Sequence, residues 1–288
     1  MGEPKRVEEV SALIDRRDVL ERLGRDPAHV RDLVDETDHS RRTVSRALGA
    51  LEAQNFVERG DGGITLTTAG RLAHRRFEDF LTELDEVLTA EEVLAPLPAS
   101  SGVEPEAIVG GEAVLATESA PYRPLERLLA DLLDAGRYRA VLPSLDSPRL
   151  IRLLYERVVT DDRPAELVVS EDVFETLHEE FPRRAVGMAD TDGCSVSVGP
   201  TPPFGLWLID RTVDDEPCRS ATTVHLVVLT ARGTIHGSIV TDAEPAVRWA
   251  EDRFEECRRD ATDRTGALVD GPEGDVQRGG DRAGGSDE

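Results

Sequence analysis

The stretch that decides the fold is Ser40-Arg41-Arg42-Thr43-Val44-Ser45-Arg46-Ala47-Leu48-Gly49-Ala50-Leu51, running on through Glu52-Ala53-Gln54-Asn55 to Phe56-Val57-Glu58-Arg59. Val44, Leu48 and Leu51 fall at i, i+4 and i+7, one face of an α-helix, so they must turn toward a core. Ser40 is placed to cap or open that helix, and Arg41, Arg42, Ser45 and Arg46 are left pointing outward. Phe56 to Arg59 then reads as a strand, Gly60-Asp61-Gly62-Gly63 as a hairpin turn, and Ile64-Thr65-Leu66 as the returning strand.

Upstream, Val7, Val10, Leu13, Ile14, Leu20 and Leu23 follow a helical pattern that stops at Gly24 and Asp26-Pro27. A short second helix is expected from about Ala28 to Val34, with Val30, Leu33 and Val34 as its apolar face, and Asp35 to Asp38 as a turn. A short helix, a tight turn, an arginine-bearing helix and a two-stranded wing make a winged helix-turn-helix over residues 1–70.

Charge supports a special role for this region. The 288 residues carry 34 basic and 58 acidic side chains, a formal charge of −24, which is not the balance of a basic nucleic-acid or anionic-membrane binder. Yet residues 1–80 hold 14 basic and 16 acidic residues, against 20 and 42 in residues 81–288. Within the spared third, residues 39–51 contain three arginines and no acid. A local gap in an otherwise general acid excess points to a surface that must meet an anion. Lys5 is the sole lysine, and aromatic residues are only 4%. The combination resembles the proteins of salt-in haloarchaea, where molar salt cuts the Debye length to roughly 3 Å and screens carboxylate self-repulsion. An origin in a GC-rich bacterium would explain the arginine usage but not the acid excess.

Downstream, residues 71–95 read as a long amphipathic linker helix bearing Leu72, Phe77, Phe80, Leu81, Leu84, Val87 and Leu88, either a dimer contact or a plain connector. Pro96, Pro98, Ser100, Ser101 and Gly102 mark a linker. Over residues 104–262 strand-like and helix-like segments alternate, the pattern of βαβ units on a parallel sheet, with a late antiparallel hairpin at Thr223–Leu229 and Thr234–Val240. The fold class is therefore α+β / α/β. Residues 263–288, with seven glycines and no aromatic, read as a disordered acidic tail.

No catalytic or metal constellation emerges. His178, His225 and His236 fall in different elements and read as surface or hydrogen-bonded structural residues, and there is no H-E-x-x-H, G-x-S-x-G or P-loop string. Cys194, Cys218 and Cys257 are odd in number and far apart, which indicates neither a disulfide framework nor a zinc knuckle and gives a redox sensor little support. Trp207, Trp249 and Phe254 look like core anchors. No cofactor and no enzymatic activity are expected. There is no run of 18 apolar residues, and a charged N-terminus stands where a signal peptide needs an apolar segment, so a soluble, cytoplasmic protein with no membrane partner is expected.

From Ser40 to Arg59 the sequence resembles the recognition helix and first wing strand of archaeal and bacterial winged-helix transcription regulators. Ile64-Thr65-Leu66-Thr67-Thr68-Ala69-Gly70 resembles their wing exit, in which a Thr starts the next helix and a Gly permits close packing. Pro121–Leu129, Pro203–Asp210 and Ala243–Arg258 resemble the later domains of an archaeal regulator family named for methanogenesis and filament-growth control.

The resemblance implies a DNA-binding transcription regulator whose third helix enters the major groove of double-stranded DNA. Arg41, Arg42 and Arg46 would meet phosphates or guanines, Ser40, Thr43 and Ser45 phosphates or bases, and Arg59 a flanking minor groove. A homodimer using residues 72–88 is expected, because paired half-sites call for a symmetric reader. In an open α/β sheet a small-molecule effector would sit beyond the carboxyl ends of the parallel strands, which places Ser144 and Ser170 at the candidate pocket, unless they merely serve as turn and cap residues. The alternative reading is a winged-helix protein-interaction adaptor with a sensor domain.

Overall fold

A computed structural model describes residues 14–145, 147–213 and 216–269. The chain divides into two compact units, residues 1–85 and 86–288.

In the first unit, helix α1 spans Arg17–Arg25, α2 Val30–Glu36 and α3 Arg41–Ala53, followed by strands β1 (Val57–Gly60) and β2 (Gly63–Leu66). The two strands pair antiparallel, and Ala28 bridges to Ile64 through reciprocal backbone hydrogen bonds of 3.0 and 2.9 Å, so the wing is tied to the segment between α1 and α2. This is the element order of a winged helix-turn-helix. Its core contains Leu20, Leu23, Leu33, Val44, Leu48 and Leu51, as the periodicity requires, together with Val57, Ile64 and Leu66 from the wing. Each fully buried aliphatic side chain of this kind contributes about 1.5–3 kcal/mol. Ile14 is exposed rather than part of the apolar face, and a turn at Asp15–Arg16 separates it from α1. Val7, Val10 and Leu13 lie outside the described residues.

The wing exit follows local chemistry closely. Asn55 ends α3 with φ of 57°, a left-handed value that Asn tolerates. Thr67 Oγ1 donates to the Asn55 carbonyl (2.6 Å) and accepts from Gly70 N–H (3.0 Å), starting the next helix. A Cβ at Gly70 would lie 1.9 Å from the Phe56 carbonyl oxygen, so only glycine allows the helix to pack this close.

Helix α4 is a single element from Thr68 to Leu94. Phe77 is buried, and near the other end Ala90 and Val93 belong to the core of the second unit. The last turns of the expected linker helix are therefore part of the second unit, and the compositional linker follows after them.

Among the described residues, the second unit is built on an eight-stranded mixed sheet in the order β10 (Thr262–Asp263), β6 (Cys194–Val198), β5 (Ala165–Val169), β4 (Ala135–Leu142), β7 (Phe204–Val213), β8 (Glu216–Leu229), β9 (Ile235–Thr241) and β3 (Glu112–Leu115). Strands β4 (Ala135–Leu142), β5 (Ala165–Val169) and β6 (Cys194–Val198) are parallel, as the alternating segments require. Beyond β4 the sheet is antiparallel: β7 (Phe204–Val213) pairs with β4, then β8 (Glu216–Leu229), β9 (Ile235–Thr241) and β3 (Glu112–Leu115) follow. The hairpin of β8 and β9 is the expected one.

One face of the sheet is covered by α5 (Arg123–Leu133), α6 (Pro148–Tyr155), α7 (Glu171–Glu180), α8 (Pro182–Ala189) and α10 (Thr265–Val269). The other is covered by α9 (Glu244–Arg259), the 3-10 turn Pro105–Ile108 and the end of α4. Successive residues of β7 alternate between the two cores, Trp207 and Ile209 facing one and Leu206 and Leu208 the other. Burial on both faces makes its apolar run continuous rather than alternating. Trp207, Trp249 and Phe254 are core residues, as expected.

The first residues assigned to the expected tail are part of the second unit. Strand β10 (Thr262–Asp263) pairs with β6, and Leu268 of α10 is buried in the core, so the ordered unit runs on past residue 263. Residues 270–288 lie outside the described residues.

Candidate nucleic-acid interface

Helix α3 carries the site. Its N-cap Ser40 accepts from Thr43 N–H at 3.2 Å, and the two hydroxyls lie 2.9 Å apart, so Ser40 and Thr43 hold the first turn as well as facing solvent. The apolar side of the helix is fixed by Val44, Ala47, Leu48 and Leu51, all buried. Arg41, Arg42, Ser45 and Arg46 are consequently exposed on the other side.

Among the described residues, none of Arg41, Arg42 and Arg46 makes a salt bridge or a side-chain hydrogen bond. This contrasts with Arg17, Arg22, Arg25 and Arg31 on the neighbouring helices, each paired with a carboxylate. The first turn of α3 contains no acid. Three guanidiniums thus stand near the positive end of a helix dipole with no internal counter-charge, an arrangement suited to an oxyanion.

Arg59 is different. It lies on β1 of the wing, but its guanidinium is hydrogen-bonded to Glu52 of α3. Reaching a nucleic-acid groove would require breaking that pair.

The two residues assigned to an effector pocket also have structural roles. Ser170 Oγ donates to the Pro143 carbonyl (3.2 Å) and accepts from Val173 N–H (3.2 Å), capping α7. Ser144 follows β4 and its Oγ lies 3.5 Å from the Gly233 carbonyl of the β8–β9 turn. Ser144 lines a cavity of about 30 Å³ at the strand ends that is otherwise apolar apart from Ser147, with Trp207, Leu142 and Ile235 among its walls; Ser170 is not part of this lining. The cavity has room for about one water molecule.

Sequence reading misses two polar clusters inside the second unit. Arg139, 4% exposed, donates to Asp210 (3.3 Å) and Glu251 (3.1 Å), and Asp210 also accepts from Thr222 at 2.7 Å. His225, fully buried, has Nε2 2.9 Å from Asp131, whose carboxylate also accepts from Arg127 at 3.0 Å. Burial pushes the His225 pKa below its ordinary value despite Asp131. Burial opposes the Asp131 carboxylate, but hydrogen bonds from His225 and Arg127 outweigh it and hold its pKa low. A neutral His225 donating from Nε2 to an ionised Asp131 fits both directions. The partners in each cluster are far apart in sequence, so no local motif announces them.

His236 Nε2 lies 2.9 Å from the Glu92 carbonyl, and His178 stacks on Phe174. Cys194 and Cys257 are free and buried; burial pushes the Cys194 thiol up to about 11, away from thiolate chemistry. The described residues contain no metal-binding cluster of His, Cys, Asp or Glu, and none of their helices is long and apolar enough to cross a membrane.

Comparison with known proteins agrees with both halves of this description. The family model described as the methanogenesis regulatory protein FilR1, middle domain, matches residues 121–260, and the HVO_A0261 N-terminal domain matches residues 4–88. No curated protein matches the chain. Among solved structures, the archaeal chromatin protein TrmBL2, described as showing a novel mode of DNA binding, is 12% identical over 81% of this chain and 87% of its own, with a TM-score of 0.39. NucT from Helicobacter pylori is 10% identical over 53% of this chain and 98% of its own, with a TM-score of 0.40. The phospholipase D family member Nuc from Salmonella typhimurium is 10% identical over 53% and 96%, with a TM-score of 0.39. At these scores the likenesses assign nothing to this chain. The two family matches, one on each unit, are what the chain is similar to: an HVO_A0261-type N-terminal domain followed by a FilR1-type middle domain.

Proposed function

We propose that this protein is a non-enzymatic, cytoplasmic transcription regulator that binds double-stranded DNA through α3 and the wing. The observation that carries this reading is the trio Arg41, Arg42 and Arg46, exposed and without an internal counter-charge in a chain whose net charge is −24. The third helix enters the major groove, its arginines meeting phosphates or guanine edges and Ser45 adding a hydrogen bond. Arg59 joins only by exchanging Glu52 for phosphate. The protein acts as a homodimer, so that two winged helices reach two half-sites.

The second unit tunes this binding in response to a small effector. The strand-end position of the cavity beside Ser144 supports that role, and its small volume implies that the β8–β9 turn and the loop after β4 must part to admit a ligand.

Footprinting of the full-length chain on genomic DNA in molar KCl tests the reading. Protected operators are expected, and the Arg41→Ala/Arg42→Ala/Arg46→Ala variant should lose protection while remaining folded. Absence of any protected site would remove the DNA reading in favour of a protein-binding winged helix.

A further inference from the structure

Two small cavities lie side by side in the second unit, and the same two side chains stand between them. The cavity at the strand ends, of about 30 Å³, has Leu142 and Leu145 in its lining. A second, of about 20 Å³, lies over β5 and β6 among Ile151, Leu167, Met188 and Val196, and has Leu142 and Leu145 in its lining too. Close-packed interiors keep few voids large enough for a water molecule, so two that share a wall mark a place where packing is incomplete.

The two wall residues are held differently. Leu142 is 3% exposed and ends β4, where it pairs with Val169 of β5. Leu145 is half-buried and lies in neither helix nor strand. Its side chain can turn aside without disturbing the sheet, whereas that of Leu142 cannot.

The lining says what kind of molecule would take its place. No charged side chain lines either cavity, and the second is lined by hydrocarbon and thioether side chains alone. An ion placed here would lose its hydration with nothing to replace it, whereas apolar cavities take up small hydrocarbons. The polar exceptions are Ser144 and Ser147, both in the first cavity. Ser147 Oγ is engaged in capping α6, accepting from Leu150 N–H at 3.3 Å. Ser144 Oγ reaches the Gly233 carbonyl only at 3.5 Å, the outer limit of a hydrogen bond, which leaves its hydroxyl able to turn to a better-placed polar atom. Each void holds about one group the size of water, and an occupant that also replaced the Leu145 side chain would have about six heavy atoms.

We propose that the second unit binds an uncharged, mostly apolar small molecule of this size in the space formed when Leu145 turns aside and joins the two cavities, with its polar group at Ser144. This rests on the reading of the second unit as an effector-binding domain and names the chemical class of the effector.

Trp207 reports on the site, because it lines the first cavity while the other tryptophan of the chain, Trp249, belongs to the core on the opposite face of the sheet. The test titrates the full chain at pH 7.5 in molar KCl with 1-hexanol and, separately, with hexanoate, which has the same number of carbons but is ionised. 1-Hexanol should change Trp207 emission saturably, in the parent chain and in the Trp249→Phe variant alike, and should raise the melting temperature. Hexanoate should bind at least tenfold more weakly. Leu145→Ala opens the wall in advance and should tighten 1-hexanol binding at least threefold, and Leu145→Val, a smaller truncation, should do so to a lesser degree. Absence of saturable 1-hexanol binding to the parent chain would overturn the proposal, as would hexanoate binding as tightly as 1-hexanol, or unchanged affinity in a folded Leu145 variant. Operator footprinting with and without 1-hexanol is read separately. Binding that leaves protection unchanged would keep the site and remove its effector role, whereas failure of 1-hexanol to bind would remove the apolar class and leave the effector reading to other ligands.

Discussion

The outer side of α3 in the first unit and the interior of the second use arginine in opposite ways. In the first, Arg41, Arg42 and Arg46 are exposed on α3 and none has a counter-charge among the described residues. In the second, Arg139 is buried between Asp210 and Glu251, Arg127 is held by Asp131 and Glu112, and Arg137 by Glu166. The difference teaches that net charge is a poor guide to an anion-binding surface. What counts is charge that the fold leaves unspent, and on α3 three such arginines share one exposed side with no acid in the first turn.

The sharpest way to break the contrast is at its most buried member. Arg139→Ala would leave Asp210 fully buried without its counter-ion, and removal of one partner from such a pair costs about 3–5 kcal/mol. Denaturant unfolding should show the second unit losing that much stability. A loss below about 1 kcal/mol would mean that the network is solvated and its arginine no more committed than those of α3.

Next in size is the backbone contact that positions α4. Gly70→Ala places a methyl group 1.9 Å from the Phe56 carbonyl oxygen, which backbone shifts must relieve. Overpacking of this kind typically costs about 1–3 kcal/mol. The loss should appear in melting of the first unit while the second is unchanged.

The arginines of α3 should behave in the reverse sense. Arg41→Ala, Arg42→Ala or Arg46→Ala should alter stability by no more than about 0.5 kcal/mol, since each is exposed and without an internal partner. Operator affinity should nevertheless fall by about 1–3 kcal/mol for a base-reading arginine, with specificity relaxed at one position, whereas a phosphate contact should weaken all sites alike and flatten the salt dependence. Equal loss of melting temperature and binding would show that these side chains support the fold.

The contrast also explains how much was legible in the sequence. The first unit is written in short-range code: Val44, Leu48 and Leu51 define the buried side of α3, and Gly60 to Gly63 the wing turn. Thr67 and Gly70 act on residues within about 15 positions of themselves. The second unit is less local. Alternation reveals the parallel strands β4, β5 and β6, but not that β7 returns to pair with β4, because an apolar strand buried on both faces looks the same in either direction. Arg139 meets Asp210 and Glu251 across 71 and 112 residues, and His225 meets Asp131 across 94. The pairing of Arg59 with Glu52, seven residues apart, is hidden for another reason: it depends on how closely the wing folds against α3.

The smallest expected effect concerns the second polar cluster, which has no counterpart on α3. His225 has its pKa depressed from 6.5, by burial first and against the pull of Asp131, so the folded unit holds it neutral. A group depressed in this way contributes stability that is fully present above pH 6.5 and is lost as pH falls toward its folded value, because the unfolded chain takes up the proton first. Asp131, held below 3.8, adds a similar loss only in much stronger acid, which separates the two windows. A single proton limits the slope to about 1.4 kcal/mol per pH unit. His225→Gln retains a donor for Asp131 but cannot titrate, and Arg127 still pairs with that carboxylate. Thermal melts at fixed salt from pH 7.5 to 5 should therefore show a shallower decline for His225→Gln than for the parent chain, the other five histidines being common to both. Identical slopes would mean that His225 binds protons alike in the folded and unfolded chain, whereas a steeper decline for His225→Gln would mean that the folded unit holds it charged and buries a histidinium–carboxylate pair as it buries Arg139 and Asp210.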